Sequence, residues 1–156
     1  MTKIMQGLIA AAFAAAISLG ASQAVLAFGS DSSSDSSSAG DAYNTALSKI
    51  KSGQYNDAIP LLQQATAADP TNADALNELG FSLRKVGRLP ESLDAYQKAL
   101  SLKPDHIDAN EYLGELYLVM KRPDLAQKQL DILTKLCPSG CEQRSDLQEQ
   151  LSAFKG

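Results

Sequence analysis

The sequence predicts an all-α fold, a solenoid of stacked helix pairs, and three observations lead there. Pro70, Pro104 and Pro138 recur at a constant interval of 34 residues. The same interval links Ala58, Ser92 and Ala126; Leu62, Tyr96 and Leu130; Ala65, Ala99 and Leu133; and Ala46, Gly80 and Gly114. Between these landmarks the apolar residues fall at three- and four-residue spacing, the period of a helix with one buried face. A repeat of this length reads as a helix pair that cannot bury its apolar faces alone and stacks on the next pair. Small residues then stand where helices come close, and large ones fill the gaps.

The first 27 residues are expected to be a signal peptide. Lys3 precedes an apolar run from Leu8 to Leu19, followed by Gly20 and small residues up to Ala24 and Ala27, the order of a secretory leader cleaved after one of those alanines. The run is too short and alanine-rich for a comfortable membrane span, which needs about 20 apolar residues. A periplasmic or secreted location follows, with an uncleaved anchor as the alternative. Residues 28–40 contain Ser30 to Ser38 interrupted only by Asp31 and Asp35. That composition predicts a flexible tether, and its aspartates lack the glycine and closing glutamate of a calcium loop.

Three repeats are expected over 41–140, at about 41–72, 73–106 and 107–140. In the middle unit, Leu76, Leu79, Gly80 and Leu83 form one apolar stripe, and Gly87 ends that helix by accepting a left-handed backbone. Pro90 opens the second helix, whose stripe is Leu93, Tyr96, Ala99 and Leu100. The first unit departs from the pattern. Thr45 and Lys49 stand where bulky apolar residues belong, with Leu47 and Ile50 as substitutes after a small rotation, and Pro60 lies a turn into the second helix. The third unit has Lys121 and Pro123 in its turn, which predicts a shorter or tighter turn there. Residues 141–156 are expected to form a capping helix, with Leu147, Leu151 and Phe154 on one face.

The run Leu79-Gly80, Leu83, Gly87, Ser92, Tyr96, Ala99 and Pro104 resembles the signature of the tetratricopeptide repeat family. The third unit keeps Leu113, Gly114, Tyr117, Ala126, Leu130 and Pro138, and the first keeps Ala46, Gly53, Tyr55, Ala58, Leu62, Ala65 and Pro70. The resemblance implies a right-handed α-solenoid whose groove, lined by the first helix of each repeat, receives a peptide. Carried onto this chain, the groove places are Tyr43, Leu47, Asn77, Phe81, Arg84, Lys85, Glu111, Glu115 and Leu118. Phe81 lies off the core stripe and reads as a peptide anchor or a lone surface aromatic. Asn77 offers an amide to a ligand backbone, and Arg84 and Lys85 suit an acidic or C-terminal carboxylate group. The family's chaperone-tail clamp needs Lys and Asn where this chain has Tyr43, Leu47, Glu78 and Glu111, so that ligand class is not expected.

The two cysteines, Cys137 and Cys141, flank Pro138-Ser139-Gly140 at the corner before the capping helix. In an oxidising compartment they read first as a structural disulfide; a redox-active pair or metal ligands are the alternatives. His106, the single histidine, reads as a solvated turn residue or helix cap without a catalytic role. No phosphate-binding loop, dinucleotide fingerprint, zinc-protease helix or nucleophile elbow is present, so no enzyme, cofactor or metal is expected. With a net charge of −4 and a pI near 4.9, nucleic acid is a poor partner. The expected function is an exported adaptor that binds a protein or peptide segment within an envelope assembly. The alternatives are a redox or metal-handling protein centred on the cysteines, and a self-assembling structural protein.

Overall fold

The computed structural model describes residues 32–155, with side chains from Ser38 onward. The predicted signal peptide, 1–27, lies outside the described residues. Among those described there are seven helices and no strand: α1 Ser32–Lys51, α2 Tyr55–Ala68, α3 Ala73–Lys85, α4 Leu89–Leu102, α5 Ile107–Val119, α6 Pro123–Leu136 and α7 Glu142–Ala153. α1 packs on α2, α3 on α4 and α5 on α6, each pair joining the next, and α7 lies against both α5 and α6. This is the all-α solenoid expected, with one helix pair per 34-residue unit.

Chemistry at the helix ends sets the phase. The turn within each pair is closed by a residue in the left-handed region: Gly53 at φ 71°, Gly87 at 81° and Lys121 at 57°. One residue on, the backbone N–H reaches back five positions, from Gln54 to Lys49 (2.9 Å), Arg88 to Leu83 (2.9 Å) and Arg122 to Tyr117 (2.7 Å), which satisfies carbonyls the helix would otherwise leave orphaned. The third turn is therefore the same as the others, not shorter or tighter as Lys121 and Pro123 suggested. The same hydrogen bonds hold Lys121 in a conformation that costs an L-residue about 1–2 kcal/mol. The first helices of the second and third units are capped by side chains, Asn72 Oδ1 accepting from Ala75 N (2.8 Å) and His106 Nδ1 from Ala109 N (3.3 Å). His106 is thus a helix cap, buried and not solvated.

Two differences from expectation fall in the first unit. α1 begins at Ser32, so the predicted tether of 28–40 is helical from that point. Extending a helix from a packed segment costs little per residue, and serine is only a few tenths of a kcal/mol poorer than the better helix formers. The buried stripe of α1 is Ala42 and Ala46, with Tyr43 and Ile50 packed alongside against Ala58, Leu61, Leu62 and Leu79. Thr45 is exposed and Lys49 half-buried, so the helix is rotated as anticipated, with Ile50 and Tyr43 rather than Leu47 reaching the core. α2 continues through Pro60, which faces solvent.

Close approach explains the small residues. A Cβ on Gly80 would stand 2.7 Å from the ring of Tyr96, which is fully buried. Ser92 Oγ donates to the carbonyl of Gly80 at 2.7 Å across the same contact. A Cβ on Gly114 would collide with Leu147 of α7. Leu147 in turn sits among Leu118, Ala126, Leu130 and Leu133, with Leu151 and Phe154 beside it, so α7 seals the end of the stack. Full burial of a leucine is worth about 2 kcal/mol.

Candidate peptide-binding groove

The face carried by α1, α3 and α5 holds most of the predicted groove residues, arranged in two parts. The first is an aromatic and cationic cluster where the repeats meet. Phe81 is half-buried, its ring edge-on to Tyr55 (centroids 5.8 Å) and tilted against Tyr112 (5.1 Å). The Arg84 guanidinium lies 5.6 Å from the Phe81 centroid and 5.7 Å from that of Tyr112, and Lys85 Nζ is 5.1 Å above Phe81, within reach of cation–π attraction. Arg84 also pairs with Glu115, tying α3 to α5 with both side chains largely shielded from water. Its charge is thus spent inside the protein, so Arg84 does not stand ready for an acidic ligand as its sequence position suggested. Lys85 is exposed and makes no ion pair among the described residues.

The second part is acidic. Asn77 is buried; its Nδ2 donates to Glu78 Oε1 at 3.4 Å, and its Oδ1 receives no hydrogen bond among the described residues. Burial and the charges of Asp108 and Asp74 raise the Glu78 pKa, against the Asn77 hydrogen bond. On α5, Asp108, Glu111 and Glu115 share one face at three- and four-residue spacing. Gln143 and Gln150 of α7 donate to Asp108 (2.9 Å) and Glu115, the outer two. Glu111, between them and only 6 % exposed, takes part in no hydrogen bond or ion pair among the described residues. Burial first, then the charges of Glu115, Asp146 and Asp108, push its carboxyl up to about 8, with Arg84 opposing. The hydroxyl of Tyr112 is raised to about 12 by burial and by Glu111, Asp108, Glu78 and Glu115. The Tyr43 hydroxyl is raised by burial, then by the charges of Glu78 and Asp74.

Two predicted residues stand apart. Leu118 belongs to the core under α7 rather than to the groove, because the capping helix occupies that end of α5. Leu47 is half-buried on α1 without joining a core cluster. Tyr55, Tyr112, Asp108 and Asp146 are contributors the sequence reading passed over. Glu78 and Tyr112 stand one repeat apart at the same place, so the period that selected Asn77 and Glu111 also marks them.

Cys137 and Cys141 have Cα atoms 5.8 Å apart, within the span of a disulfide, and their sulfurs face each other. Cys137 is buried at the end of α6 and Cys141 precedes the first turn of α7, so a link there joins cap to stack. Among the described residues no three His, Cys, Asp or Glu side chains converge as metal ligands. A crevice of about 760 Å³ opens between α2 and α4, over Leu76, Leu79 and Leu83 of α3.

The chain is similar to short stretches of longer proteins. Over 89 residues it is 36 % identical to cellulose synthase operon protein C of Escherichia coli, covering 57 % of this chain and 8 % of that protein. Over 101 residues it is 27 % identical to Superkiller protein 3 of Saccharomyces cerevisiae, covering 64 % and 7 %. The chain spans less than a tenth of the length of these relatives. Among solved structures it superposes on the first TPR domain of Spaghetti bound to an HSP90 peptide, with TM-score 0.68, 19 % identity, and coverage of 76 % of this chain and 94 % of that one. It also superposes on the Yersinia enterocolitica type III secretion chaperone SycD in complex with a peptide of the translocator YopD, with TM-score 0.69, 19 % identity, and coverage of 76 % and 93 %. Models described as tetratricopeptide repeat match residues 43–107 and 83–151. Those two matches cover most of the chain between them, and with the helix pairs and their phase they place it in the tetratricopeptide repeat family.

Proposed function

We propose that this protein is an exported scaffold that binds a protein segment along the face of α1, α3 and α5, as part of an assembly in the cell envelope. The observation that carries the reading is the cluster of Phe81, Tyr55 and Tyr112 with exposed Lys85 above it. Aromatic rings held by neighbours and left partly open are the kind of anchor on which peptide recognition concentrates its energy. Two proteins of the same fold, Spaghetti and SycD, hold peptides in the structures described above, which supports the same use here. The order of residues 1–27 supports export, and the cysteine pair at the foot of α7 suits an oxidising compartment.

The test places a photoreactive residue at Lys85 in the full chain, expressed in cells. Capture of one recurrent envelope protein, abolished by Phe81→Ala, is the expected result. A random set of abundant proteins, unaltered by Phe81→Ala, would overturn the groove reading. Capture of this chain alone would replace the adaptor with self-assembly. The mass of the chain recovered from the periplasm checks cleavage after Ala24 or Ala27; recovery of uncleaved chain from the cytoplasm would remove export from the proposal.

A further inference from the structure

The acids of α5 form a row in which the outer two are satisfied from within the protein and the middle one is not. Asp108 accepts from Gln143, and Glu115 accepts from Gln150 and pairs with Arg84. Glu111 is more than nine-tenths buried and has no partner among the described residues. Glu111 meets its burial by holding a proton more tightly instead of by pairing within the protein, which leaves its carboxyl open to a cation supplied by a ligand. The surrounding charges exclude an acidic ligand. Asp108 and Glu115 of α5 and Asp146 of α7 act on Glu111 itself, and Glu78 of α3 acts on the neighbouring Tyr112. Arg84 is already paired with Glu115, and Asp74 has His106 Nε2 at 3.1 Å and Lys103 Nζ at 4.0 Å, whereas Glu111 has no such partner among the described residues.

We infer that the groove takes a segment carrying a lysine or arginine, whose cationic head seats against Glu111 while apolar residues of the same segment rest on the Phe81 cluster. This rests on the groove reading above and names the chemistry of its partner. A metal ion is the wrong cation, because the carboxylates are strung along the helix rather than gathered on one point. A long side chain reaches such a row, its methylene stem covering apolar surface and only its head charged. Pairing also changes protonation. With its pKa near 8, Glu111 is mostly neutral at pH 7; a cation beside it favours the ionised form, so binding releases a proton.

The test uses the purified chain and three labelled peptides of about a dozen residues, sharing one apolar pattern and carrying three lysines, three glutamines or three glutamates. The lysine peptide is expected to bind about tenfold tighter than the glutamine peptide, a charge-assisted hydrogen bond being worth that much, and the glutamate peptide least well. Glu111→Gln should remove that advantage and leave the glutamine peptide unchanged, with Glu78→Gln giving a smaller loss at a less buried site. Calorimetry at pH 7 in buffers of different ionisation heat should show a proton released per lysine peptide bound, and none with Glu111→Gln. Undiminished binding of the lysine peptide by Glu111→Gln would overturn the assignment of Glu111. Equal affinity for all three peptides, lost in Phe81→Ala, would overturn the charge preference while the groove stands. Failure of every peptide to bind in a manner sensitive to Phe81→Ala would overturn the groove reading itself.

Discussion

Replacing Gly80 by alanine isolates the closest approach in the stack. The new methyl would meet Cδ1 and Cε1 of Tyr96 at 2.7 Å and Cγ at 3.0 Å, where carbon atoms prefer about 3.5–4.0 Å. The ring cannot retreat easily, because Tyr96 is fully buried against Leu113 and Leu116 with Tyr112 and Leu100 around it. Overpacking of this kind costs about 1–3 kcal/mol. Separation of α3 from α4 would also stretch the bond from Ser92 to the Gly80 carbonyl, worth about 1 kcal/mol. Against this stands a gain of about 1 kcal/mol from alanine's better helix propensity. The net expectation is a loss of about 1–3 kcal/mol, or a melting temperature lower by roughly 4–12 °C at this size. Gly40→Ala is the matched control, since it makes the same change in a helix with nothing within 4 Å of the new methyl, and it should gain about 0.5–1 kcal/mol. Urea titration followed by circular dichroism measures both. Equal stabilisation by the two substitutions would refute the close packing of α3 on α4.

Other predictions follow from the same physical terms. Lys121→Gly should stabilise by about 0.5–1 kcal/mol, the left-handed cost of about 1–2 kcal/mol being relieved and part returned as backbone entropy, read as a higher urea midpoint at unchanged slope. Replacing Cys137 and Cys141 together by serine should cost about 2 kcal/mol, the loop-closure value for so short a ring. Hydrogen exchange should then quicken in α7 while α3 is unaffected, and an unchanged pattern would exclude a disulfide. Glu111 holds a proton in the folded chain between pH 4.5 and about 8 that the unfolded chain has released. Its contribution is therefore full below pH 4.5, declines as pH rises and is lost above about 8. Glu111→Gln should flatten that fall and exceed the parent in stability at pH 9, measured by denaturation across pH.

The fold was legible because the repeat imposes the same geometric demand three times. A proline, a small residue and a left-handed turn must recur in step if identical hairpins are to stack, so positions such as Gly80 and Gly114 declared themselves. Lys121 hides its turn because residue type alone does not determine the geometry there; the flanking helices and the bond from Arg122 to Tyr117 impose it. The helical start at Ser32 was hidden for a related reason: composition reports local preference and says little about extension from a packed neighbour. The groove was only partly legible. Its residues are set by the family's register, but their state depends on pairings across repeats, and Arg84 with Glu115 is such a pairing. Leu118 was misplaced because the path of α7 over α5 is not written in either helix alone.

Among the described helices, packing joins only elements that are adjacent or next-but-one in chain order. No pairing among these helices requires α1 and α7 to meet, so little loop entropy has to be spent before contacts begin to form, and rapid folding is the kinetic result. The same connectivity governs how the molecule fails. A protease or a pulling force applied at the α7 end would peel off the cap and then one hairpin at a time, leaving the remaining pairs standing, instead of collapsing the whole structure in one event.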